Sequence, residues 1–168
     1  MLFRSDLDPL EFELFRANLF TWQYNAPHVK PYLATQVGST LYINAGPTAY
    51  KRVYFNTEDG NDNFIITGEN GTVNVEFDDW YSSYTGITKV VADMGYGNDK
   101  FDASRLRGVT VEVLGGEGDD KLYTGFAGGI LDGGDGDDSL NGNTGDDVLR
   151  GGAGEDRILA GDGNDLLD

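Results

Sequence analysis

The chain has 168 residues, with 12 basic against 29 acidic side chains, one histidine and no cysteine. A formal charge of −17 opposes contact with nucleic-acid phosphate, and the missing thiols and single imidazole leave a hard, oxygen-bound cation as the natural metal partner. No run of residues is apolar for long enough to span a bilayer, and the length suits one compact domain or one solenoid without a second catalytic domain.

Residues 1–33 read as an N-terminal arm or cap. Asp8-Pro9-Leu10-Glu11 has the order of an N-cap, a first-turn proline and an acidic third residue, which predicts a short helix through Phe20. The alternation in LEFELF suits a strand equally. Acidic residues interrupt the hydrophobic run that a signal peptide needs, so either export uses another signal or the chain is a mature form. Trp22 to Pro31 reads as an extended linker, and His28, lying between Pro27 and Pro31, as a solvated or packing residue rather than a general base.

From about residue 34 the pattern is β throughout. Alternating apolar residues predict strands at Leu41 to Asn44, Val53 and Phe55, Phe64 and Ile66, Val73 to Phe77, and Val109 to Val113. Residues 34–93 are expected to form irregular solenoid coils. Asp78-Asp79 reads as a loop beside the aromatics Trp80, Tyr81 and Tyr84, with a glycan platform as the functional alternative. Neither HExxH nor GxSxG occurs, and no catalytic constellation is visible, so the chain is not expected to be an enzyme.

Residues 94–168 are dominated by a repeat. From Gly115 to Asp168 the sequence divides into six nonapeptides: GGEGDDKLY, TGFAGGILD, GGDGDDSLN, GNTGDDVLR, GGAGEDRIL and AGDGNDLLD. Their eighth residues are Leu122, Leu131, Leu140, Leu149, Ile158 and Leu167, and their sixth are Asp120, Gly129, Asp138, Asp147, Asp156 and Asp165. This segment also holds 14 acidic residues, 3 basic ones and 16 of the chain's 25 glycines. One aliphatic side chain per nonapeptide cannot offset the backbone entropy of nine residues and the self-repulsion of so many carboxylates. Looser copies occur upstream at 94–102, with Asp99 and Phe101, and at 57–65, with Asp62 and Phe64. The spacings align Asp62, Asp99, Asp120, Asp138 and Asp156 along one side of a solenoid. The interval from Asp62 to Asp99 reads as about two coils.

These nonapeptides resemble the RTX, or haemolysin-type, calcium-binding repeat G-G-x-G-x-D-x-U-x, which GGDGDDSLN, GGEGDDKLY and GGAGEDRIL satisfy at every defined position. The resemblance implies an all-β fold, a parallel β-roll with Ca²⁺ in its turns. Each repeat would supply a six-residue turn and a short strand, with several ions between stacked turns. Glycines are expected to take positive φ and aim carbonyls at the ion, and the sixth-position Asp adds a carboxylate, together giving the hard oxygens that Ca²⁺ prefers.

The site residues implied are Gly115, Gly116, Gly118 and Asp120; Gly133, Gly134, Gly136 and Asp138; and Gly151, Gly152, Gly154 and Asp156 on one edge. The opposite edge supplies Gly142, Gly145 and Asp147, and Gly161, Gly163 and Asp165. Asp99 extends the first row and has to accommodate three extra residues before Asp120; Asp62 extends it more loosely. The pairing of Gly129 with Asp147 lacks a carboxylate and is expected to be empty or weak. The function expected is an extracellular calcium-binding structural protein that folds on Ca²⁺ and assembles head to tail, or else a calcium-folded module of a larger secreted protein.

Overall fold

The computed structural model describes residues 33–46 and 60–168. The helix expected before Phe20, the Trp22 to Pro31 arm, His28 and the strand expected around Val53 lie outside the described residues. Fourteen strands are present among those described: β1 (Ala34–Val37), β2 (Thr40–Ile43), β3 (Asn63–Gly68), β4 (Val73–Phe77), β5 (Trp80–Tyr84), β6 (Lys89–Tyr96), β7 (Lys100–Leu106), β8 (Thr110–Glu117), β9 (Lys121–Tyr123), β10 (Gly129–Asp135), β11 (Ser139–Asn141), β12 (Val148–Ala153), β13 (Arg157–Leu159) and β14 (Leu166–Leu167).

They form two seven-stranded sheets with the orders β1-β2-β6-β8-β10-β12-β14 and β13-β11-β9-β7-β3-β4-β5. From β6 onward successive strands alternate between the sheets, and each pairs in parallel with the strand one coil away. Residues 89–167 therefore form a parallel β-roll. Its core is a ladder: Leu131 pairs with Leu149 in one sheet and Leu122 with Leu140 in the other, all four at most 1 % exposed. The side-chain period of two explains the pattern, since one aliphatic residue per short strand is the one that points inward.

The N-terminal part departs from the regular coil. Strands β1 and β2 pair antiparallel, as do β3 with β4 and β4 with β5. The core is much richer here, with Phe64, Ile66, Val75, Phe77, Met94, Phe101 and Leu106 all buried and the Phe64 and Phe77 rings 4.6 Å apart.

One expectation is corrected. The interval from Asp62 to Asp99 holds one coil and not two, because β3 pairs directly with β7 while β4 and β5 leave the coil as an antiparallel excursion. Asp78-Asp79, expected as a loop, is the tight turn between β4 and β5, with Asp78 at φ 50°. On β5 Trp80 and Tyr84 are partly buried against the core, whereas the intervening Tyr81 is 53 % exposed and donates to Asn74 Oδ1 at 2.8 Å. The three aromatics thus do not share one face.

Candidate metal centre

Each turn of the roll places its sixth-position Asp at the edge between the two sheets. Asp62, Asp99, Asp120, Asp138 and Asp147 are all at most 2 % exposed. Five carboxylates stack along one edge through a repeated contact in which each backbone N–H donates to the carboxylate of the next coil. Asp62 N donates to Asp99 Oδ1 at 2.6 Å, Asp99 N to Asp120 Oδ1 at 2.8 Å, Asp120 N to Asp138 Oδ1 at 2.8 Å and Asp138 N to Asp156 Oδ1 at 3.0 Å. On the opposite edge Asp147 N donates to Asp165 Oδ1 at 3.0 Å. The structure thus brings Asp62, Asp99, Asp120, Asp138 and Asp156 together in one row and Asp147 and Asp165 in another. The three residues inserted before Asp120 do not disturb its junction with Asp99. Asp102 to Tyr123 keeps the longer spacing while Val111 to Gly129 already has the regular one, so the insertion lies in the β7–β8 turn of the other edge.

The glycines divide into two kinds. Those at the second and fourth positions, Gly125 excepted, have positive φ, for example 115° at Gly116 and 123° at Gly118, where a Cβ would also strike the carbonyl of the preceding coil. First-position glycines are not among the positive-φ residues, which corrects the expectation that every motif glycine serves backbone freedom. They are glycine because a Cβ would fill the space between stacked turns. At Gly115 it would collide with Asp120 Oδ2 and Gly133 O, and at Gly133 with Asp138 Oδ2 and Gly151 O. A Cβ on Gly142 would likewise meet Asp147 Oδ2 and Ala160 O.

These cradles converge carboxylate and carbonyl oxygens. Asp120 Oδ2 and Asp138 Oδ2 are buried with no hydrogen-bond partner, a costly state for a carboxylate oxygen unless something positive faces it. Burial pushes the Asp120 carboxyl up to about 6, with the nearby Asp138 and Asp119 charges adding to the effect. Asp138 is raised for the same reasons, and Asp147 is pushed up to about 6, again chiefly by burial. Among the described residues no three acidic or imidazole side chains converge on one point. An ion held here would therefore be bound largely by backbone carbonyls with a carboxylate from each turn, a donor set suited to Ca²⁺. Gly115 with Asp120 and Asp138, Gly133 with Asp138 and Asp156, and Gly142 with Asp147 and Asp165 fit that ion. At the junction above Asp120, the place of the first glycine is taken by Met94, which is buried.

One contributor escaped the sequence reading. Fifth-position side chains form a second ladder running the other way: Asn98 N donates to Asn61 Oδ1, Asp119 N to Asn98 Oδ1, Asp137 N to Asp119 Oδ1 and Glu155 N to Asp137 Oδ1, at 2.8 to 3.1 Å. Asn164 N to Asp146 Oδ1 repeats it opposite. The signal was present, because every fifth residue of these turns except Gly128 is Asn, Asp or Glu. With N–H groups pointing to both neighbouring coils, each turn is fixed in register from either side.

Parallel coils, glycine cradles and stacked buried carboxylates define a calcium-type β-roll. Comparison with known families agrees: the RTX calcium-binding nonapeptide repeat, in four copies, matches residues 112–127 and 132–167. These residues thus carry that calcium-binding repeat. No curated protein and no solved structure matches the chain.

Proposed function

We propose that the chain is an extracellular structural protein whose β-roll folds when Ca²⁺ binds between its stacked turns and which associates end to end. The observation that carries this reading is the pair of buried, unpartnered oxygens of Asp120 and Asp138, each aimed at a carbonyl of the next coil. Bound there, Ca²⁺ supplies the positive charge that makes burial of these carboxylates favourable and ties one turn to the next. A donor set of few carboxylates and many carbonyls belongs to the weak end of calcium affinity, roughly 10⁻⁴–10⁻³ M, which extracellular fluid saturates. The ions proposed lie at Asp120/Asp138, Asp138/Asp156 and Asp147/Asp165; Asp99 and Asp62 continue the row of carboxylates, with Met94 in the place of the first glycine at the Asp99 turn. No catalytic role is proposed.

End-to-end association is supported by the last coil. Leu159, Leu166 and Leu167 are exposed at 56, 60 and 49 %, and β13 and β14 each lack a neighbour on one side. Such an end is adhesive, and a head-to-tail contact does not close on itself.

Calcium titration followed by calorimetry and circular dichroism tests the first claim; equal β content in chelator and in excess calcium, with no heat of binding, would refute it. Size-exclusion chromatography and negative-stain microscopy with and without calcium test the second. A particle that stays monomeric at high protein and calcium concentration removes end-to-end assembly.

A further inference from the structure

One junction on the second edge is built differently, that between turn 124–129 and turn 142–147. Elsewhere the first residue of the upper turn is glycine because its own-turn carboxylate and the first carbonyl of the next coil occupy the space a Cβ would take, as at Gly115 and Gly133. Here the first residue is Thr124 and the sixth is Gly129, so a side chain has appeared at one end of the turn and a carboxylate has vanished at the other. Thr124 is fully buried, and its hydroxyl donates to Gly142 O, the first-position carbonyl of the next coil. The same hydroxyl also faces the Asp147 carboxylate. Those two oxygens are the ones that regular junctions turn toward an ion. A carboxylate is also sterically unwelcome at position 129, since a Cβ there would lie 2.6 Å from Val111 O.

We propose that Thr124 takes the place of an ion at this junction, its hydroxyl clasping turn 142–147 to turn 124–129 without calcium. The calcium sites do not fit here, and the second edge is left with one, at Asp147/Asp165. The inference rests on the calcium reading in treating the other junctions as ion-held. It adds that one link of the roll stays closed when the ions are removed.

Amide hydrogen exchange on the full chain, read by mass spectrometry in EDTA and in calcium, tests it with Thr124→Ser and Thr124→Val. In EDTA the wild type and Thr124→Ser should keep protection at 142–149 while turns 133–138 and 151–156 exchange freely. Thr124→Val, which keeps the bulk and removes the donor, should lose that protection and leave Gly142 O unsatisfied. In calcium all three should be protected and bind the same number of ions by equilibrium dialysis. The proposal is overturned if wild-type 142–149 exchanges freely in EDTA, if Thr124→Val matches wild type there, or if Thr124→Val loses a bound ion, which would make the hydroxyl a ligand. If turns 133–138 and 151–156 are equally protected in both buffers, the calcium reading fails instead. The clasp is still judged by the difference between Thr124→Val and wild type.

Discussion

The two ends of the roll share one coil and are held together differently. Around β3, β4 and β7 the coil closes on Phe64, Ile66, Phe77 and Phe101, and antiparallel pairing gives its outer strands partners. The Tyr84 hydroxyl donates to Ala34 O at 3.1 Å and Gln36 Nε2 to Thr85 O at 3.0 Å, linking the first strand of one sheet to the last of the other. From β9 to β12 each strand buries a single leucine, and the turns contain little besides glycine and acid. Burial of apolar area stabilises the first region at any calcium level, whereas the second has to cancel its charge before it can close. The same backbone path thus serves as a permanent base and as a conditional extension.

The largest test of that contrast is chelation. EDTA should release amide protection across 133–168, apart from the Thr124 clasp, and leave β3, β4 and β7 protected. Loss of both regions together would show that the apolar end is not independent.

Two substitutions sharpen the comparison. Phe64→Ala should cost about 3–5 kcal/mol, seen as a lower urea midpoint in EDTA and in calcium alike. Asp138→Asn should not lower protection in EDTA but should remove two bound ions, because Asp138 is shared by the junctions with Asp120 and Asp156. A calorimetric stoichiometry that falls by one or not at all would contradict the shared geometry.

How much of this was legible in the sequence follows the same division. In the nonapeptides the requirements are local: Gly116 and Gly118 need positive φ, Gly115 needs an absent Cβ, and Leu122 needs to point inward, so the residues state the turn directly. At the other end the coil is specified by packing between distant segments. Spacing alone could not distinguish the β4–β5 excursion from another coil, because only the antiparallel pairing of Val75 with Ser82 and of Phe77 with Trp80 takes the chain out of the coil. The fifth-position ladder of Asn98, Asp119 and Asp137 was overlooked because the bond to the neighbouring coil's backbone accepts Asn and Asp alike, so no single residue type marks the position. Thr124 looked like a defect in the repeat, and its compensating hydrogen bond to Gly142 O appears only when the coils are stacked.

The smallest effect expected is on pH, and its sign separates the two regions again. Asp120 and Asp147 are raised to about 6 in the folded chain, chiefly by burial, while an unfolded aspartate titrates near 3.9. Without metal, the folded roll therefore binds more protons than the unfolded chain between about pH 4 and 6. Its stability is greatest below that window and is lost as pH rises through 6. Calcium requires the ionised carboxylates, so the calcium concentration needed for folding should instead rise as pH falls below 6. In EDTA the 133–168 turns should be better protected at about pH 4.5 than at about pH 7.5 once exchange is corrected for its intrinsic pH dependence. The region around Phe64, Ile66 and Phe77, which closes on apolar packing, should change less. Equal protection of the turns at both pH values would mean that burying carboxylate charge is not what keeps the metal-free roll open.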